Sequence, residues 1–258
     1  MTWAEYWNGE TTVYVNARHK RVHYEAVARD ILGYLHRPEA RVVDYGCGEA
    51  LAAHVVAGAC AKLYLCDSAS TVRDRLNARY AGRSDIEVID PPAFERLPSR
   101  SVDLIIANSL VQYLTAAEFT GLLAAARDKL DAAGRLVLAD IIPRRVGPLQ
   151  DAAELLRFAR ANGFLLPAAG GLVRSFFSSY RRTREECGLL QFDEAEILGE
   201  LARAGFSGRR AYPNMGHNRQ RMTLLATPAP HGAVHTSPAI VGSAGNPAGQ
   251  LQLQPAGH

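Results

Sequence analysis

Short apolar segments alternate with helical patterns along most of this chain, and no other feature of the sequence limits its possible folds so strongly. Five of these segments have the length and apolar character of buried strands: RVVDY (41–45), KLYLC (62–66), IEVI (86–89), VDLIIA (102–107) and RLVLADII (135–142). Parallel strands need crossover connections, which are usually helices, so this alternation predicts a doubly wound, mostly parallel α/β sheet with helices on both faces. Two further strands near 207–212 and 221–226 complete a predicted seven-stranded sheet.

The chain divides into one predicted domain and a tail. Its 258 residues, 48% of them hydrophobic, can bury one large core, and residues 1–227 carry the α/β pattern. Residues 1–38 are predicted as an N-terminal lid and helix, and residues 144–191 as a helical insertion that could cap a substrate. Residues 228–258 contain no Asp, Glu, Lys or Arg and are rich in Pro, Gly, Ala, Ser and Gln, which predicts a disordered low-complexity tail.

Composition argues against several classes of protein. A net charge of +3 is too small to indicate a nucleic-acid partner. The cysteines show no spacing typical of a zinc site or a disulfide framework, which predicts no metal and favours reduced thiols in a cytoplasmic protein. We expect neither export nor a membrane span, because the N-terminus lacks a signal-peptide pattern and no apolar run approaches about 18 residues. The oligomeric state stays open.

The segment VVDYGCGEA, residues 42–50, forms a glycine turn at the end of the first predicted strand. In open α/β sheets ligands bind beyond the carboxyl ends of the strands, where Gly46, Gly48, Asp67, Asp90 and Asn108 all fall. The two glycines let the backbone approach a ligand closely, and a carboxylate at Asp67 suits a pair of ribose hydroxyls. These positions predict a cofactor that contains a nucleoside.

The details of the turn disfavour a dinucleotide. A dinucleotide-binding turn needs a third glycine for close helix packing, and Leu51 stands at that position. Asp44 would repel a pyrophosphate but would attract a positively charged ligand. We therefore expect a cationic ligand that resembles adenosine.

The ordered segments VVDYGCGEA, LYLCDSAS, IEVID, VDLIIANSLVQYL and LDAAGRLVLADIIP resemble the motifs of class I S-adenosylmethionine-dependent methyltransferases, over about residues 18–226. The resemblance implies a Rossmann-like methyltransferase fold and S-adenosylmethionine as the cofactor. It implies that Asp44, Gly46 and Gly48 hold the methionine half, and that Asp67 binds the ribose. Cys47 is interpreted as a small side chain that fills the turn, since nearby acids disfavour a thiolate.

The same resemblance assigns Asp90 to the adenine amino group and Asn108 to the sulfonium and substrate side. The residue after the adenine-binding acid usually donates a backbone N–H in this family, but here it is Pro91, which has none. Either a shifted contact from Ala93 or Phe94 replaces it, or stacking and shape hold the adenine. A turn aspartate before proline is the alternative interpretation of Asp90.

Histidines are the candidate bases for an acceptor hydroxyl. His217 lies in the loop PNMGHN between the last two strands, which should open on the cofactor side, so we predict that it positions or deprotonates the substrate. The alternative interpretation of His217 is an ordinary loop residue that forms hydrogen bonds with its neighbours. His19 and His23 lie four apart on the leading helix, but RHKRVH is more typical of a solvated basic face.

The insertion suggests what the acceptor is. Its many apolar side chains favour either a cap over an apolar acceptor or additional core, and a cluster of arginines could bind an anionic group: Arg174, Arg181, Arg182 and Arg184. We therefore predict a small-molecule acceptor, apolar with an anionic group, methylated on O, N or C. The alternatives are an RNA methyltransferase and a catalytically silent interaction subunit that binds S-adenosylmethionine.

Overall fold

The computed structural model describes residues 7–8, 14–175 and 188–230, and a seven-stranded sheet organises them. The strands are β1 (Arg41–Tyr45), β2 (Lys62–Cys66), β3 (Ile86–Ile89), β4 (Val102–Asn108), β5 (Leu130–Ile141), β6 (Phe206–Ala211) and β7 (Met222–Pro228). Their spatial order is β3-β2-β1-β4-β5-β7-β6. Strands β1 to β5 pair in parallel, whereas β7 lies antiparallel to both β5 and β6. The predicted doubly wound, mostly parallel sheet is confirmed.

Helices cover both faces of this sheet. They are α1 (Ala17–Leu32), α2 (Ala53–Ala57), α3 (Ser70–Arg79), α4 (Pro91–Glu95), α5 (Ala116–Lys129), α6 (Pro148–Ala161), α7 (Leu165–Ser175) and α8 (Glu194–Arg203). One apolar core joins the sheet to α1, α2 and α3, and a second joins it to α4, α5 and α8. Because both faces are covered, the side chains of β4 from Val102 to Ala107 are buried on both sides.

The helix ends follow the capping residues in the sequence. Asn16 begins α1 by accepting a hydrogen bond from the backbone N–H of His19. Thr115 and Glu118 form a reciprocal capping box at the start of α5, as their spacing predicts. At the start of α8, the backbone N–H of Asp193 donates to the Glu196 carboxylate at 2.7 Å.

Two local predictions need correction. The apolar sequence of residues 50–59 predicts a helix over that whole range, but α2 is shorter, because Ala50 takes a left-handed φ of +38° and the helix begins only at Ala53. The segment after β3 is predicted as a loop because of its prolines, yet Pro91 and Pro92 occupy the first turn of α4. Proline is tolerated there, since the first N–H groups of a helix have no intrahelical acceptor.

Helices α6 and α7 lie within the predicted insertion. They pack on each other around a small core of Ala159, Phe164 and Ala168. The side chain of Arg174 and the residues 176–187, with Arg181, Arg182 and Arg184, lie outside the description, as does the predicted tail from residue 231 onward. Within the described ranges, no helix is both long and apolar enough to cross a bilayer.

Candidate functional site

A cavity of about 680 Å³ opens at the carboxyl ends of β1, β2 and β4. This volume falls within the range of about 300–1,000 Å³ typical of small-molecule sites. The glycine turn, the tip of β2 and the segment after β4 form one part of its wall. Helices α1 and α6 and the loop between β6 and β7 form the other part.

The glycine turn after β1 requires both of its glycines. Gly46 and Gly48 take left-handed φ values of +76° and +57°. A Cβ at position 46 would lie 2.8 Å from Leu110 Cδ1, and a Cβ at position 48 would lie 2.7 Å from the Tyr24 hydroxyl. The backbone N–H groups of Gly46 and Cys47 donate to the carbonyl of Cys66, so the turn is fixed against β2.

Asp67 stands at the tip of β2 and lines the cavity, as its sequence position predicts. Its carboxylate accepts hydrogen bonds from the backbone N–H groups of Gly48 and Ala69, each at 2.9 Å. Burial raises the pKa of Asp67, and these two hydrogen bonds oppose that rise. A carboxylate has about four acceptor sites, so capacity for ligand hydroxyls remains.

Asp44 supplies a second carboxylate at this end of the cavity. Its residue surface is only 9% exposed. Burial, with added repulsion from Asp67, raises the pKa of Asp44 to about 7. A cation placed here would relieve both effects, so the acids and the glycine cradle fit a positively charged ligand that carries a ribose, as S-adenosylmethionine does.

Cys47 fills the turn without acting as a nucleophile. Burial raises the pKa of its thiol well above the ordinary value, and the carboxylates of Asp44 and Asp67 raise it further. The thiol is therefore protonated at neutral pH, in agreement with its interpretation as a small filling side chain.

Asp90 has a local partner. Its carboxylate accepts a hydrogen bond from the backbone N–H of Ala93 at 2.8 Å and thereby caps α4. Pro91 and Glu95 line the cavity, whereas Asp90 is not among the described residues that do. The N–H of Ala93, one of the expected substitutes for the missing donor, is engaged in this cap. The adenine contact of Asp90 stays a prediction.

The segment after β4 brings two carboxamides to the cavity. Asn108 and Gln112 both line it, and Gln112 is only 4% exposed. Within the described part of the chain, Asn108 Oδ1 and Gln112 Oε1 are buried without a hydrogen-bond partner. Leaving such an atom unpaired costs about 1–3 kcal/mol, which favours a ligand or water that supplies the missing donors. Sequence reasoning did not single out Gln112.

The loop between β6 and β7 carries His217 to the cavity, as the expected geometry of the last two strands requires. The backbone N–H of Gly216 donates to Asp30 Oδ2 of α1 at 2.7 Å. The amide of Asn214 donates to the carbonyl of Asn218 at 2.8 Å. These bonds hold the loop on both sides of His217, so its ring has a defined position.

His19 and His23 also line the cavity, so their interpretation as part of a solvated basic face is wrong. His19 is only 5% exposed, because its ring stacks on Phe164 of the insertion with centroids 5.0 Å apart. The His217 ring lies 6.3 Å from that of His19 and 6.2 Å from that of His23, and it stacks on Phe158 at 4.6 Å. Phe158 and Phe164 of the insertion therefore cover His19, which the sequence pattern leaves exposed.

These histidines are neutral at pH 7. Burial lowers the pKa of His19 to about 4 and that of His23 to about 3. Burial also lowers the pKa of His217. Among the described residues, no group of three or more His, Cys, Asp and Glu side chains is arranged so that it could hold a metal ion. Neutral imidazoles can accept a proton, which suits them to an acceptor site.

Residues 43–138 match the model of a family described as a methyltransferase domain. No curated protein matches the chain in sequence.

Several solved structures share the fold of this chain. One is magnesium protoporphyrin IX methyltransferase (ChlM) from Synechocystis PCC 6803 with bound SAH, at 19% identity and a TM-score of 0.53, covering 86% of this chain and 91% of that chain. The DhpI–SAH complex is 12% identical with a TM-score of 0.55, and the match covers 88% of this chain and 95% of that chain. The pyocyanin biosynthetic protein PhzM is 16% identical with a TM-score of 0.55, and the match covers 89% of this chain and 62% of that chain.

Proposed function

We propose that this chain, an S-adenosylmethionine-dependent methyltransferase with the class I fold, transfers a methyl group to a small-molecule acceptor bound against its histidine cluster. The observation that carries the proposal is one continuous cavity with two chemically different ends. Asp44, Asp67 and the glycine turn line the cofactor end, and His19, His23 and His217, with Asp140 and Asp151 facing His217, line the acceptor end. A donor and an acceptor could thus meet within the same enclosed space.

The cofactor end is assigned to residues that fit its charge and shape. Asp44 would face the positive charge of the ligand, and Gly46 and Gly48 would let the backbone approach the methionine half. Asp67 would accept hydrogen bonds from the ribose hydroxyls. Asn108 would lie beside the reacting groups at the end of β4.

S-adenosylmethionine, when bound, supplies a methyl group on a positively charged sulfur. The protein then has to align the acceptor with that methyl group and to receive the proton that the acceptor loses. Alignment alone can contribute about 7–11 kcal/mol to lowering the barrier. His217, neutral at pH 7, would hold the acceptor and take its proton on a ring nitrogen.

The wall of the cavity favours an apolar acceptor. Ring-bearing side chains contribute much of the lining: Trp7, Tyr14, Tyr24, Tyr45, Tyr113, His19, His23 and His217. Stacking on such rings favours flat, apolar molecules. Two structural neighbours are a magnesium protoporphyrin IX methyltransferase and a pyocyanin biosynthetic protein, and both names are consistent with a small-molecule acceptor.

Cations are few in the described lining of the cavity, so it offers little attraction to an anionic group on the acceptor. Within that lining the cations are Arg75 and Arg221, against a larger set of acids: Asp44, Glu49, Asp67, Glu95, Glu118, Asp140 and Asp151. Arg174, Arg181, Arg182 and Arg184 therefore remain the candidates for such a group. The acidic lining also disfavours RNA, whose phosphates bind best to unpaired basic side chains.

Incubation with labelled S-adenosylmethionine and fractionated lysate tests the proposal. We expect label in a small-molecule fraction with the wild-type protein, and none with the Asp67→Ala variant. Glu87→Ala, which removes an acid from the same sheet outside the cavity, is the matched control and should label normally. Label in RNA or protein would contradict the small-molecule acceptor. Binding of S-adenosylhomocysteine without any transfer would support the silent interaction subunit instead.

A further inference from the structure

We propose that Arg221 is a positioning residue whose guanidinium joins the end of β5 to the first turn of α6 and so holds α6 against the acceptor end of the cavity. The residue stands between the β6–β7 loop and β7 and lines the cavity. Nothing in its sequence context, Asn-Arg-Gln-Arg-Met, indicates such a role.

The bridge has two arms. Arg221 Nη1 donates to Asp140 Oδ2 at 2.8 Å, and Nη2 donates to Asp151 Oδ2 at 3.1 Å. The exposed fractions of the three side chains are 15%, 16% and 22%, so these are partly buried, charge-assisted bonds rather than surface pairs. Burial lowers the pKa of Arg221, but the two carboxylates outweigh it and raise the pKa overall. The guanidinium therefore stays charged.

Asp151 is held by a second contact from the same loop. Asn218 Nδ2 donates to Asp151 Oδ1 at 2.7 Å, and Asn218 is only 4% exposed. Both oxygens of the Asp151 carboxylate are thus bonded to residues that immediately precede β7. Because Asp151 lies in the first turn of α6, these bonds fix where the insertion helix begins.

The other arm ends on an unusual stretch of backbone. Asp140 and Ser109, at the ends of neighbouring strands, take left-handed φ values of +60° and +54° although neither is glycine. The Ser109 hydroxyl donates to Asp140 Oδ2 at 2.7 Å, the oxygen that also accepts from Arg221. Such conformations persist where surrounding contacts fix them, and they concentrate at functional sites. The backbone conformation at the ends of β4 and β5 thereby orients the Asp140 carboxylate towards Arg221.

Arg221 also affects His217, and this step rests on the proposed function. The charged groups that face His217 are Asp140 of β5, Asp151 and Glu154 of α6, and Arg221 itself; the neutral rings of His19 and His23 face it from α1. Burial lowers the pKa of His217, and the positive charge of Arg221 lowers it further, whereas the carboxylates raise it. The guanidinium thus helps keep the imidazole free to accept a proton.

Two variants separate the bridge from its charge, and neither measurement needs the acceptor. Arg221→Gln removes both, and Arg221→Lys keeps the charge but cannot form the two-armed bridge. Arg83→Gln is the control for net charge, because Arg83 is exposed and its side chain donates to a sequence neighbour, Asp85. The readouts are amide hydrogen exchange over residues 148–161 and NMR titration of the His217 imidazole, assigned by its absence from a His217→Gln spectrum.

We expect amides of α6 to exchange about tenfold faster in both Arg221 variants than in the wild type or the Arg83→Gln control. Loss of hydrogen bonds to charged groups shifts a local opening equilibrium by about this factor. The pKa of His217 should rise in Arg221→Gln and change much less in Arg221→Lys. Asp151→Asn, which breaks the bridge from the other side, should also speed exchange in α6. It keeps the proposal testable should Arg221→Gln fail to fold.

Wild-type exchange in α6 of a folded Arg221→Gln or Asp151→Asn variant would overturn the proposal. These results are independent of the labelling experiment. Faster exchange in α6 together with no methyl transfer to any fraction would refute the proposed function alone. Normal transfer to a small molecule together with unchanged exchange would refute the role of Arg221 alone.

Discussion

Asp44 should make binding of the cofactor strongly dependent on pH below 7. The pKa of this buried carboxyl is raised to about 7, so in the free protein it becomes protonated as the pH falls through that value. A bound cation favours the ionised form, and protonation therefore competes with binding. The affinity should fall with a slope approaching tenfold for each unit of pH below 7.

The size of the effect follows from the fraction of ionised carboxyl. With a pKa of about 7, about half of Asp44 is ionised at pH 7 and about 3% at pH 5.5, so the affinity should fall roughly fifteenfold, or about 1.6 kcal/mol. The α-amino group of the ligand, with a reference pKa of about 7.7–8.0, stays protonated throughout this range. The raised pKa of Asp67 would add to the loss at the lower end.

Isothermal titration calorimetry with S-adenosylhomocysteine and S-adenosylmethionine from pH 5.5 to 7 measures this directly. The Asp44→Asn variant should bind weakly at every pH, close to the wild type at pH 5.5, because a protonated carboxyl and a carboxamide are alike in charge and shape. A flat profile for the wild-type protein, or the same slope in Asp44→Asn, would refute the assignment of Asp44 to the cationic ligand.

The stability of the ligand-free protein gives an independent check on the same residue. The folded-state pKa of Asp44 is raised, so the folded state binds this proton more tightly than the unfolded state does. The resulting stabilisation is full below about pH 4, the unfolded pKa, and is lost as the pH rises through about 7. Thermal unfolding should therefore show Asp44→Asn to be more stable than the wild type at pH 8, with the difference vanishing near pH 4.

Three further predictions concern single residues of the site. Gly48→Ala should weaken binding of S-adenosylhomocysteine in calorimetry far more than Gly82→Ala, because both positions have positive φ but only the new Cβ at 48 meets a neighbour, the Tyr24 hydroxyl at 2.7 Å; equal effects would point to backbone strain alone. His217→Ala should lower turnover of the identified acceptor by about 10²–10⁴ across pH 6 to 9, with His36→Ala as an exposed control, and near-wild-type turnover would remove His217 from the mechanism. Asp90→Ala should lower the free energy of unfolding by about 0.5–2 kcal/mol through loss of the α4 cap; an accompanying large loss of affinity for S-adenosylhomocysteine would support the adenine contact.

The sequence by itself determined the succession of strands and helices along the chain, the main helix caps and the residues at the cofactor end of the cavity. Strand and helix periodicity, the Thr115 capping box and the glycine turn are properties of neighbouring residues, and local physics acts on them wherever they occur. The carboxyl ends of parallel strands meet at one edge of a sheet, so the convergence of Gly48 and Asp67 followed from the alternation alone.

Only the tertiary structure decided the acceptor end. His19 and His23 have the sequence context of a solvated helix face, yet His19 stacks on Phe164 of the insertion and His23 faces His217 of the β6–β7 loop. The bridge from Arg221 to Asp140 and Asp151 joins residues 81 and 70 positions apart, a separation at which no periodic pattern records a contact. Burial and charge pairing depend on which surfaces meet in three dimensions, and those surfaces exist only once the whole chain has folded.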